Sequence, residues 1–309
     1  MKYYKPEGSL LNTEENLSYL QNAEGLRRAK ETGRILEGRA VLCDNEHNLM
    51  VDLGGIRGII PRTEAAMGIA EGTTKDIAII SRTGKPVCFQ VLEVWEDALG
   101  GVRPILSRRA AQRECYQNYL QNLQPGEVIP CRITHLETFG CFVDVGCGNV
   151  SLIPIDAISV SRISHPSDRF RTGQNIYAAV KGIDALGRVT LTHKELLGSW
   201  EENAAKFQSG ETVAGIIRSV ENYGVFIELT PNLAGLAEPC PTAFPGQHCS
   251  VYIKSLIPEK MKVKLMIVDS FEPTSGPASA PEYLIDHGRI HHWRYSPEGC
   301  TKIIETIFY

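Results

Sequence analysis

GEVIPCRITHLETFGCFVDVG at residues 126–146 and GETVAGIIRSVENYGVFIELT at residues 210–230 align without a gap. Each copy holds two alternating apolar stretches, the signature of paired strands, joined by a short turn at Phe139-Gly140 or Tyr223-Gly224. Strand side chains alternate between faces, which puts Cys141, Val143 and Val145 inward and Phe142 with Asp144 outward. In the second copy Val225, Ile227 and Leu229 point inward, with Phe226 and Glu228 outward. One exposed Phe is commonplace, but an aromatic pair spaced i, i+3 on the wet face of two copies needs a reason.

The flanking sequence repeats the same plan. Residues 34–108 hold five short strand signals, as do residues 125–192 and 210–271, and a long connection separates the third from the fourth strand in the second copy. That is the pattern of a small Greek-key barrel of the OB type. The expected fold is therefore mainly β: three tandem five-stranded OB barrels joined by short helices. A helical segment at residues 1–33 is expected, capped by Asn12 and Glu15, with connecting helices at 109–124 and 193–209. Residues 272–309 read as a Pro/Ser-rich linker and a small β tail, too small to stand alone, which must pack on a repeat or on a second chain.

With 43% hydrophobic and 22% charged residues the chain has an ordinary globular composition, and its formal charge of −4 argues against coating a polyanion through bulk electrostatics. A local basic groove remains open, since Arg162, Arg169, Arg171, Lys181, Arg188 and Lys194 crowd the second repeat and three lysines lie at 260–264. Nine scattered cysteines read as reduced thiols of a cytoplasmic protein. No apolar leader or membrane-length run is present. There is no P-loop, nucleophile elbow, HExxH or carboxylate cluster, so an enzyme is not expected, and neither is a cofactor. The tail residues His287, His291, His292 and Cys300 are zinc ligands by type, but their spacing matches no established site, so no metal is expected.

The residues Phe139-Gly140-Cys141-Phe142-Val143, then Gly173-Gln174, then Asp184 through Arg188 to Leu191-Thr192 resemble one family, the RNA-binding OB-fold repeat named after ribosomal protein S-one. The chain as a whole resembles the short S-one-like ribosomal proteins of Gram-positive bacteria. That resemblance implies single-stranded RNA, messenger or ribosomal, as partner, together with the small ribosomal subunit. It implies Phe139 and Phe142 as stacking platforms, Arg188 as a phosphate or base contact, and Asp184 as its orienting partner. In the third repeat it implies Tyr223, Phe226 and Lys262, with Glu238 opposing phosphate. Pro154 replaces the usual histidine, leaving His165 or Arg162 for that contact. Alternatives stand beside each assignment: the rings could plug a barrel end, and Asp184 with Arg188 could only staple a turn. The first repeat has His47 and Met50 at the aromatic positions and keeps only Arg103, so the family analogy gives it a protein contact. The competing reading of the whole chain is a protein-interaction scaffold with incidental RNA contact.

Overall fold

The computed structural model describes residues 4–98, 100–184, 187–272 and 281–309. Most of the Pro/Ser-rich linker expected at 272–281 lies outside the described residues. The first barrel comprises β1 (Leu36–Cys43), β2 (Leu49–Asp52), β3 (Arg57–Ile60), β4 (Pro86–Glu96) and β5 (Val102–Ser107). The second comprises β6 (Val128–Glu137), β7 (Gly140–Asp144), β8 (Val150–Pro154), β9 (Asn175–Ile183) and β10 (Val189–Thr192). The third comprises β11 (Thr212–Glu221), β12 (Gly224–Thr230), β13 (Leu233–Ala237), β14 (His248–Ile257) and β15 (Lys262–Phe271). All three close with the same strand order, first-second-third-fifth-fourth. The third and fifth strands run parallel, and the first returns to pair antiparallel with the fourth. The mainly β architecture of three five-stranded barrels is thus the one the sequence leads to.

The chain divides into two compact units, Met1–Leu123 with Asp144–Val150, and Gln124–Val143 with Ser151–Tyr309. In the first unit the barrel interior holds Leu36, Leu49, Val51, Ile60, Phe89 and Leu106, and the stripe Leu26 and Ala29 packs with them. The expected N-terminal helix is in fact two, Glu14–Leu20 and Ala23–Glu31. The caps are Thr13 and Asn22, whose side chains accept from the Asn16 and Gly25 amides, so Asn12 does not cap. An Asn inside an apolar stripe competes for backbone N–H groups and starts a new helix.

Asp144 does not share the wet face with Phe142. It is buried, and its carboxylate accepts from the Glu7, Gly146 and Gly148 amides at 2.7, 2.8 and 3.0 Å. The tight turn after β7 leaves the Gly146 and Gly148 N–H groups without strand partners, and the Asp144 carboxylate satisfies them. Glu7 is also buried and holds Arg108 through two contacts of 2.6 and 3.0 Å. Glu37, buried, accepts from Gly8 and Leu10 amides, yet burial still pushes its pKa up to about 7.

In the second unit the third barrel's interior, Ile217, Val225, Ile227, Val251, Ile253 and Leu265, is continuous with tail residues Ile290, Trp293, Tyr295 and Phe308. The tail therefore packs on its own chain. Its short hairpin, β16 (His292–Arg294) and β17 (Glu305–Ile307), is fixed by Tyr295 Oη donating to Asn232 O at 2.6 Å and Thr306 Oγ1 donating to Glu195 Oε1 at 2.8 Å. The expected helix over 193–209 is reduced to a 3-10 turn, Lys194–Leu197, and a short helix, Trp200–Ala204. Gly198 between them takes φ of 83°, a left-handed backbone that ends the first turn.

Arg169 and Glu228, both expected at the surface, are buried together. Glu228 receives Arg169 and, at 2.9 and 3.2 Å, Arg218, while Ser161 and Val160 amides donate to Pro231 O and the Asn232 side chain. The loop between β8 and β9 is thereby pinned against the third barrel.

Two predictions follow from this packing. A Cβ on Gly224 would stand 2.5 Å from Ala237 O, and one on Gly140 would stand 2.4 Å from Ile153 O. Gly224→Ala should therefore cost about 1–3 kcal/mol of stability, read by urea unfolding. For Glu37 the raised folded-state pKa means that the folded chain holds its proton where the unfolded chain has released it. Stability therefore falls as pH climbs from about 4.5 to about 7. The thermal midpoint of E37Q should gain on that of the wild-type chain across this window and stay level above it.

Candidate nucleic-acid interface

The two copied hairpins hold their rings in the same arrangement. Phe139 ends the β6–β7 turn and is 53% exposed, and Phe142 on β7 is half-buried with its ring 6.0 Å away at 86°. Tyr223 is 67% exposed, and Phe226 on β12 is half-buried at 6.1 Å and 89°. Neither pair is sealed in a core. An edge-to-face pair with one ring seated on the sheet and one at its rim leaves π surface open to solvent.

Strand register shows what lies beside the rings. In the third barrel Ser219, Phe226, Leu236 and Lys264 are consecutive cross-strand partners on β11, β12, β13 and β15. Lys262 and Lys264 are exposed while Val263 and Leu265 are buried, so both lysines share the outer face with Phe226. Lys262 was anticipated from the sequence. Lys264 was missed, although the alternation in KVKLM places it on the same side.

In the second barrel the corresponding parallel pair is Leu152 with Thr190, and Arg188 stands two residues earlier at the mouth of the β9–β10 hairpin. Arg188 Nε donates to Asp184 Oδ2 at 2.7 Å, and the Arg188 amide donates to Asp184 Oδ1 at 2.9 Å. Asp184 thus both staples the turn and aims the arginine, whose side chain remains 75% exposed. Local geometry makes the two proposed roles compatible. No aspartate occupies this position in the third barrel, where a 3-10 turn, Pro258–Lys260, and Met261 at φ of 48° lead into Lys262.

Two side contacts differ from expectation. Glu238 is paired with Lys254 at 2.7 Å, and that hydrogen bond holds its carboxyl below the usual range, so its charge is partly compensated. His165 accepts from the Ser167 amide through Nδ1 at 3.1 Å, capping its own turn, while Arg162 and Arg171 of the same loop are exposed. Among the described residues no helix is long and apolar enough to cross a membrane.

The family model of the S1 RNA binding domain matches residues 122–194, which contain the second barrel. The small ribosomal subunit protein bS1 of Leuconostoc lactis is 30% identical over 240 residues, covering 74% of this chain and 54% of that protein. The bS1 homolog of Bacillus subtilis is 31% identical over 219 residues, covering 69% of this chain and 54% of that protein. For the bS1 protein of Staphylococcus aureus the figures are 27% over 274 residues, with 83% and 66% covered. The first two relatives are thus spanned over about half their length. Among solved structures, a multidomain protein with nucleic acid binding domains from Streptococcus pneumoniae matches 76% of this chain and 73% of its own at 14% identity and a TM-score of 0.26. The S-one resemblance read from the motifs is borne out: an S1 RNA-binding domain, with bS1 homologues over most of the chain.

Proposed function

We propose that this protein binds single-stranded RNA on the outer faces of its second and third barrels and works in translation as a non-enzymatic, cytoplasmic partner of the small ribosomal subunit. The observation that carries this reading is the twofold occurrence of one open ring pair in a barrel that exposes a cation on its fifth strand or at the start of it, Phe139 and Phe142 with Arg188, Tyr223 and Phe226 with Lys262 and Lys264. The match to the S1 RNA binding domain and the bS1 relatives support it.

The energetics suit weak, sequence-tolerant contacts. Each stacked base contributes about 1–3 kcal/mol whatever its identity, because every base has a π face. Arg188 adds a planar guanidinium, and the lysines add salt-dependent phosphate contacts. Stacking of this kind needs unpaired bases, so single strands are preferred to duplexes. Both hairpins that carry the rings lie in the same compact unit, and two weak sites on one strand gain from their high effective concentration.

Fluorescence anisotropy of the full chain with fluorescein-labelled polyuridylate tests the reading. F142A combined with F226A should weaken binding by at least about 30-fold while circular dichroism is unchanged. K264A should weaken it modestly and lower the slope of log affinity against log salt by about 0.7, the value of one single-strand phosphate contact. Undiminished affinity in the double variant contradicts the stacking mechanism.

A further inference from the structure

The first barrel lacks aromatics on β2, but register places one elsewhere. Leu106-Ser107 and Leu191-Thr192 end the fifth strands of the first and second barrels, and three residues before each leucine stands an arginine, Arg103 or Arg188. On the fourth strands Glu93 pairs with Ile105 as Gly182 pairs with Thr190. Two residues further along, the position of Asp184 is taken in the first barrel by Trp95, directly opposite Arg103. Trp95 is 62% exposed, whereas Trp200 and Trp293 are buried at 2% and 6%. Arg103 is exposed and makes no hydrogen bond or ion pair among the described residues.

We propose that Trp95 and Arg103 form a third nucleobase-stacking site, on the β4–β5 hairpin of the first barrel, which takes single-stranded RNA by packing a base on the indole with the guanidinium at its rim. This rests on the RNA-binding reading given above and extends it to the repeat whose β2 platform is lost. Met50, at the register position of Phe226, continues instead an aliphatic row with Leu42, Ile59 and Ile105. Indole presents the largest π face of any side chain, and an arginine freed from a carboxylate partner is available to stack or to meet phosphate. The neighbouring acids are mostly engaged: Glu96 pairs with Arg27 at 2.9 Å, and Asp97 Oδ1 accepts from the Gly101 amide at 2.8 Å. Glu93, on the same strand face as Trp95, carries no ion pair among the described residues and opposes phosphate, which makes this the weakest of the three sites.

Because the other two tryptophans are buried, the part of the full chain's emission that acrylamide can quench reports on Trp95. Adding unlabelled polyuridylate should quench the emission and protect it from acrylamide, and W95F should abolish both effects. In the F142A, F226A chain the quench should persist, shifted to higher RNA concentration. By anisotropy W95A should bind about fivefold or more weakly, and E93Q should bind more tightly than wild type. If the wild-type chain binds RNA while Trp95 stays fully open to acrylamide and W95A keeps its affinity, the site is overturned and its indole is left to a protein partner. Failure of the wild-type chain to bind RNA at all would overturn both readings.

Discussion

Closure of each five-stranded sheet on itself is the constraint from which the rest follows. A closed barrel of this size has an interior that side chains alone fill, here Val225, Ile227, Val251, Ile253 and Leu265 in the third copy. Residues that alternate with the inward ones on the second strand, Phe142 in the second copy and Phe226 in the third, then stand on the outer face. Closure also removes free sheet edges, so a strand of nucleic acid is met by side chains and not by added backbone pairing. Gly140 and Gly224 belong to this same constraint, because the carbonyl of the third strand passes where a Cβ would sit.

Charge burial is the second organising feature. Glu7 with Arg108 and Asp144 in the first unit, and Glu228 with Arg169 and the half-buried Arg218 in the second, place ionisable groups in the interior, each met by opposite charges or backbone amides, while burial and the neighbouring Glu7 push the Asp144 carboxyl above its usual range. Breaking such a pair leaves an uncompensated buried charge, so these groups hold loops to specific places without serving as RNA contacts. The chain as a whole is acidic, in keeping with the proposal that its RNA binding depends on stacking more than on bulk field.

Period-two alternation and gap-free duplication made the barrels and the four rings legible before any coordinates. The same alternation misassigned Asp144 and Glu228, because it decides which side of a sheet a residue takes and says nothing about whether a turn or loop then covers that side. Lys264 was legible from the alternation in KVKLM, whereas Trp95 needed cross-strand register to set it opposite Arg103. The packing of the tail through Trp293 and Tyr295 depends on contacts made far along the chain, which local pattern does not contain, whereas the split of the N-terminal helix at Asn22 is a local cap.

The account stands on the four rings meeting bases. Ultraviolet crosslinking of the full chain to polyuridylate, with adducts mapped by mass spectrometry, tests this most directly. Adducts at Phe139, Phe142, Tyr223 and Phe226 are the predicted result. RNA bound with adducts confined to residues away from both hairpins would contradict it.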